Sequence, residues 1–219
     1  MADPDIAIIT SIYDGYDSLK PVLPQEGANV DWVFVTDQLP KDDLGWRVLH
    51  RTCFGTHPRR AAKWPKTFPW KYTKAPASIW IDGSFQVTSP RFAVEALEFA
   101  NPIAQFKHPW RGCLFDEAKT VLAIGKYPEQ QRLIKAQVAY YDELMDRDWG
   151  LWASGVIVRK HTPEVQRFGE RWNTEMVLRS FHDQISEPYA LYASGLLPEN
   201  LPGTHFANPW LKFDGSKRH

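Results

Sequence analysis

Short apolar runs that each stop at a polar or turn-forming residue alternate along this chain with stretches of helical period, and that alternation most limits its fold. The runs are IAIITS (6–11), VDWVFVT (30–36), RVLH (47–50), SIWI (78–81), IAQFK (103–107) and LWASGVIVR (151–159). Their length and their β-branched and aromatic content read as strands. Segments 59–66, 90–100, 116–124, 128–146, 163–179 and 183–192 read as helices. In 163–179, Phe168, Trp172 and Met176 recur at i, i+4 and i+8. Residues from 197 onward are rich in Pro, Gly and Asn and read as an irregular tail folding over the site. Strands alternating with helices predict an α/β fold: a mostly parallel central sheet with helices on both faces. With 219 residues, 43% of them hydrophobic, the chain supports one core, so residues 1–219 are expected to form a single Rossmann-like domain.

In such sheets ligands bind beyond the carboxyl ends of the strands. Thr10, Ser11, Asp37, Asp82 and Gly83 all sit at predicted strand ends. In SIWIDGS, glycine after the acid lets the backbone approach a ligand closely. The Asp82 carboxylate there suits a divalent cation, a ribose hydroxyl or a sugar hydroxyl, and it equally suits a plain turn. The segment RRAAKWPK places Arg60 and Lys63 three apart, on one face of a predicted helix. They are either a grip for a diphosphate or a solvated cationic face. In HPWRGCLFDEAK, His108 and Arg111 are candidate substrate contacts, and Asp116 or Glu117 could cap the following helix. Asp183, at a predicted helix start, is a cap or a substrate-facing carboxylate. His205 and Lys212 sit in the tail, within reach of a phosphate or metal if it folds back over the sheet.

Other chemistries lack their signatures. Lys+Arg and Asp+Glu are both 26, so bulk charge does not drive nucleic-acid binding, though a local basic patch is compatible with the sequence. There is no P-loop or dinucleotide glycine motif, no HExxH and no GxSxG, and neither Cys53 nor Cys113 lies in a CxxC. No apolar run nears the ~20 residues of a membrane helix, and MADPDIAIIT is not signal-like. A soluble protein in the reducing cytoplasm is expected. Most of the ten tryptophans are expected to pack, with a few left to line a ligand site.

Together these segments carry a resemblance. TSIYDGYDSL (10–19), the Asp37 strand end, RRAAKWPK, SIWIDGSFQV, HPWRGCLFDEAK, ASGVIVRKHTP and WNTEMVLRSFHDQISEPYALY resemble, in order, a glycosyltransferase-like family that includes plant proteins of the TOD and MUCI type. The family is similar to nucleotide-sugar-dependent transferases of the GT-A kind. That resemblance implies a nucleotide-sugar donor, a carbohydrate or other hydroxyl acceptor, and Mn²⁺ or Mg²⁺ held at a strand-end Asp-x-Asp. Here the motif is Asp82-Gly83-Ser84, with serine in place of the second acid. HFANPWLK looks like the closing segment of glycogenin-like transferases, which implies His205 as a second metal ligand and Lys212 on the diphosphate. The resemblance further implies Thr10, Ser11, Tyr13 and Asp37 around base and ribose, and Arg60, Lys63 and Lys66 toward the donor. Asp183 would be a general base or a sugar-binding carboxylate, and His108, Arg111, Asp116 and Glu117 donor-sugar or acceptor contacts. Two other readings stay open at the level of sequence: a non-catalytic carbohydrate- or nucleotide-binding module, and sugar transfer to a modified nucleic-acid base.

Overall fold

The computed structural model describes residues 2–53 and 56–214. In chain order its elements begin with β1 (Ile6–Ile12), β2 (Val30–Thr36), β3 (Arg47–His50), α1 (Pro58–Ala61), α2 (Trp64–Thr67), β4 (Ala77–Ile81), β5 (Phe85–Val87) and α3 (Phe92–Glu98). They continue with β6 (Ile103–Lys107), α4 (Leu114–Ala123), α5 (Gln131–Asp142), β7 (Trp152–Lys160), α6 (Pro163–Leu178), α7 (Asp183–Ala193), β8 (Glu199–Asn200) and β9 (Leu211–Phe213).

Successive residues of a strand point to opposite faces of a sheet, and here both faces are apolar. Ile6, Ile8, Phe34, Ile79, Ile81 and Val158 pack on one side, with Phe92, Ala93 and Ala96 of α3 and with Trp210 and Leu211 of the tail. Ala7, Ile9, Val33, Val35, Trp80 and Ile157 pack on the other, with Val165, Phe168, Trp172 and Met176 of α6 and with Ala190 and Leu191 of α7. A third apolar cluster joins α4, α5 and α7. The architecture is therefore α/β with helices on both faces, as the alternation predicts.

Seven strands form the main sheet in the order β3-β2-β1-β4-β7-β6-β8. The pairings β1–β2, β1–β4, β2–β3 and β6–β8 are parallel. Strand β7 lies antiparallel between β4 and β6. Its direction is not legible in LWASGVIVR, because a strand buried on both faces carries no directional pattern. The consequence is functional: the amino end of β7 lies at the same sheet edge as the carboxyl ends of β1, β4 and β6.

The tail departs from its irregular reading. It contributes β8 to the main sheet and β9 to a two-stranded antiparallel sheet with β5. Lys212 sits on β9 opposite Gln86, exposed. Trp210 anchors the segment among the rings of Phe92, Phe99 and Phe106, and its indole N–H reaches Glu95 at 2.8 Å.

The single helix expected over 59–66 is two short ones. Pro65 has no amide hydrogen for the Ala61 carbonyl, so the first helix ends and proline begins the second. Across the interface with α6, Gly169 leaves room for the backbone of α2. A Cβ at 169 would lie 2.1 Å from the Thr67 carbonyl oxygen and 2.7 Å from the Trp70 ring. Among the described residues, no helix is long and apolar enough to cross a membrane. Gly169→Ala is expected to destabilise the fold by on the order of 2 kcal/mol despite alanine's better helix propensity. Urea unfolding checks this; an unchanged midpoint would show that α6 shifts freely against α2.

Candidate active site

A cleft of about 340 Å³ opens where β1 and β4 end. Its floor is built around Lys66, which α2 delivers from one face of the sheet and which is 1% exposed. The Lys66 Nζ donates to Asp183 Oδ2 at 2.6 Å and to Asp82 Oδ1 at 3.3 Å, and lies 3.5 Å from Ser154 Oγ. The rings of Trp80 and Trp172 face the same ammonium at 5.5 and 5.8 Å. Lys63 takes the other Asp183 oxygen at 2.6 Å and the Phe181 carbonyl at 3.0 Å. Asp183 thus spends both oxygens on two lysines. Asp82 is fixed from a second side by the Trp80 indole N–H, 2.7 Å from Oδ1. Its Oδ2 accepts no hydrogen bond from the described residues, and its side chain is 42% exposed.

The charges follow from this geometry. Burial disfavours the Asp183 carboxylate, but Lys63 and Lys66 beside it overcome that and hold its pKa well below the ordinary value. Burial likewise disfavours the Lys66 ammonium, and Asp183 and Asp82 together reverse the effect and raise its pKa. In Lys63 burial wins: Asp183 offsets it only in part, and the neighbouring Lys66 charge adds to the lowering. One turn along α7, Glu187 accepts from Gln105 Nε2 at 2.8 Å, and burial pushes its carboxyl up to about 8. Arg159, which donates to the Lys66 carbonyl, is pulled down to about 9 by burial.

Of the residues expected here, Ser11, Tyr13, Lys63, Lys66, Asp82, Gly83 and Asp183 line the cleft. The Ser11 hydroxyl donates to the Ala62 carbonyl, tying β1 to the α1–α2 turn. Asp37 instead accepts the Asp14 amide at 3.0 Å and shapes the loop after β1. Thr10 is buried below the cleft. Arg60 does not line the cleft; Arg59 does, at i, i+4 and i+7 with Lys63 and Lys66, a spacing that the pairing of Arg60 with Lys63 overlooked. The Arg59 guanidinium lies between the rings of Tyr16 and Tyr127, 5.3 and 5.0 Å from their centroids. Tyr16, His57 and Lys126 also line the cleft; Tyr16 lies in the TSIYDGYDSL stretch, while His57 and Lys126 carried no signal in the sequence.

The HPWRGC segment makes a separate knot. His108 Nδ1 accepts the Arg111 amide at 3.1 Å, and Arg111 Nε donates to the buried Glu117. Helix α4 starts at Leu114 with Cys113 as its N-cap residue, so Asp116 and Glu117 lie in the first turn rather than at the cap. Asp116 is exposed, and neither acid lines the cleft. Nor do His205 and Lys212. His205 packs edge-on against Phe85, at 5.9 Å, and its Nδ1 is buried without a partner.

For a resident divalent ion, Asp82 and His205 are a poor fit. The Lys66 ammonium and the Trp80 N–H already share Asp82 Oδ1. Among the described residues no group of three His, Cys, Asp or Glu side chains converges to complete a shell.

The family model of the TOD1/MUCI70 glycosyltransferase-like domain matches residues 41–195, which spans α1 to α7 and holds the lysine–carboxylate floor. The chain belongs to that family. No curated protein matches the sequence. Among solved structures, the apo form of the bifunctional glycosyltransferase WbbM is similar in fold, with a TM-score of 0.54 at 14% identity. The match covers 92% of this chain and 39% of the WbbM chain, so this chain spans well under half the length of that protein. The family member described here thus shares a glycosyltransferase fold and places its buried charges at the carboxyl edge of the sheet.

Stability should follow pH in two limbs. Burial lowers His108 and His161 to about 4 and His182 to about 3. Between about pH 4 and 6.5 the unfolded chain therefore binds protons that the folded chain does not, and stability rises with pH. Glu187 works in the opposite sense, because the folded state keeps a proton up to about pH 8 that the unfolded state has released. The three histidines outweigh it below about pH 6.5, and above that its effect lowers stability. Thermal midpoints across pH 4–8.5 are expected to peak near neutrality, and Glu187→Gln should flatten the alkaline fall. A Glu187→Gln profile identical to wild type would remove Glu187 as the cause.

Proposed function

We propose that this chain transfers a sugar from a nucleotide-diphosphate sugar to a hydroxyl acceptor, with the cleft as the donor site. The observation that carries this reading is the pair of lysines on the cleft floor, locked by one shared, half-buried carboxylate. Ammonium groups fixed before substrate arrives stabilise charge as it develops on a leaving phosphate, without reorganising during the step. Lys63, Lys66 and Arg59 face the diphosphate, while Tyr13, Tyr16 and the β1 loop receive the nucleoside. Asp183 orients the lysines and, with both oxygens engaged, is a weak base. Asp82 has the better position. Lys66 and Trp80 hold one of its oxygens, and the other is left to accept a hydrogen bond from the acceptor hydroxyl.

In the step itself, the acceptor oxygen bonds to C1 of the donor sugar. The bond from C1 to the phosphate oxygen breaks, and its electron pair leaves with the nucleoside diphosphate. The hydroxyl proton passes to Asp82. The lysines, rather than a metal ion, supply the positive charge beside the diphosphate.

The test is thermal unfolding against a panel of sugar nucleotides, with and without Mn²⁺, followed by transfer assays on Asp82→Asn. A ligand that binds the native state raises the midpoint. One donor is expected to do so without Mn²⁺, and Asp82→Asn is expected to keep that shift while losing transfer by about 100-fold or more. A shift that appears only with Mn²⁺ would return the diphosphate to a metal. Donor binding without transfer to any acceptor would make the chain a binding module.

A further inference from the structure

Two large aromatic side chains stand side by side in solvent at the carboxyl edge of the sheet. Trp110 is 68% exposed and Phe206 39%. Their ring centroids are 5.2 Å apart and the planes are tilted by 33°. Trp110 comes from the loop after β6, and Phe206 from the tail between β8 and β9. Single exposed apolar residues are ordinary; two from distant segments held against each other make a candidate contact surface.

The surface is rigid. His108 Nδ1 accepts the Arg111 amide behind Trp110, and the His108 ring meets the Trp110 edge at 5.9 Å. Phe206 is backed by Phe213 at 4.9 Å and by His205 at 3.9 Å. A chain of packed side chains also links the platform to the cleft. His205 packs on Phe85, and both the Phe85 ring and Asp82 Oδ2 close over Gly155, where a Cβ would lie 3.1 and 3.3 Å from them. A row therefore runs from the Asp82 carboxylate through Phe85 and His205 to Phe206 and Trp110.

Charge selects the occupant. Among the described residues, the guanidinium over Trp110 is that of Arg111 at 5.9 Å, and it is already bound to the buried Glu117 carboxylate. The platform thus offers π-faces next to a neutralised cation, which suits an uncharged ring rather than a phosphate-bearing strand. The C–H face of a pyranose carries partial positive charge toward the negative face of an aromatic ring, while its hydroxyls stay at the rim in water.

We infer that Trp110 and Phe206 form a platform that binds a neutral sugar ring of a carbohydrate acceptor by stacking. The word acceptor rests on the transferase reading; the binding of carbohydrate does not. The probes are neutral cello-, manno- and xylo-hexasaccharides, followed through the indole N–H resonance of Trp110, which is assigned by its disappearance in Trp110→Tyr. At least one oligosaccharide should move that resonance. Its affinity should fall about tenfold in Trp110→Ala and in Phe206→Ala, and Trp110→Tyr should stay close to wild type. The thermal shift produced by sugar nucleotides should be unchanged in all three. No perturbation by any oligosaccharide overturns the platform, as does equal affinity in the alanine variants. Perturbation by single-stranded DNA alone, fading with salt, overturns it in favour of a nucleic-acid surface. Oligosaccharide binding without any sugar-nucleotide shift leaves the platform standing and removes the transferase reading.

Discussion

A lysine with 1% of its surface in water is the constraint around which this molecule is arranged. Removing Lys66 from solvent carries a penalty of several kcal/mol, and so does removing Asp183. Each is tolerated because the other is 2.6 Å away and a further partner stands beside it, Asp82 for Lys66 and Lys63 for Asp183. The pair cannot be separated cheaply, so the elements that carry it are held together: α2 with Lys66, the start of α7 with Asp183, the end of β4 with Asp82 and the start of β7 with Ser154. Gln184, beside Asp183, strengthens the join by accepting from the Ser154 amide at 3.0 Å. Gly169 permits it from behind by letting α6 approach the backbone of α2.

The same arrangement that holds these elements together also prepares the chemistry. Charges set in place by folding need not be reorganised by substrate, and this is where electrostatic stabilisation gains most over water. Lys66 sets the character of the site: Asp82 is oriented by an ammonium and an indole, with one oxygen left toward the cleft. Further along the edge, the Arg111–Glu117 pair does the reverse. It cancels a charge next to Trp110 and Phe206 and leaves a neutral aromatic surface. A charged cleft and a neutral aromatic surface thus share one sheet edge.

Much of this was legible in the residues. The apolar runs located the strands of the main sheet except β8, and the helical spacing of Phe168, Trp172 and Met176 located α6. Asp82 and Asp183 stood out because a strand end and a helix start are where α/β sheets place ligands. Lys63 and Lys66 stood out as part of a cationic cluster. The misses have local causes. Pro65 split the expected helix, and Arg59 rather than Arg60 shares the cleft face with Lys63, because i, i+3 and i, i+4 neighbours compete as partners on a helix. The three-residue strands β5 and β9 are too short to show a period, and their pairing joins residues more than a hundred positions apart. His108, Arg111 and Glu117 satisfy one another, and no spacing rule distinguishes that from contact with a substrate.

The sequence by itself determined the layered α/β class, the sheet edge that carries the site and the residue types available there. These depend on local patterning, which is written in neighbouring residues. Tertiary structure decided the partnerships: that Asp183 would be shared by two lysines, that Lys66 would stand at Asp82, that β7 would run antiparallel, and that the tail would bring Phe206 to Trp110. Each joins segments far apart in the chain. Their energies come from burial and from distances of a few ångströms, quantities that exist only once the chain has closed on itself.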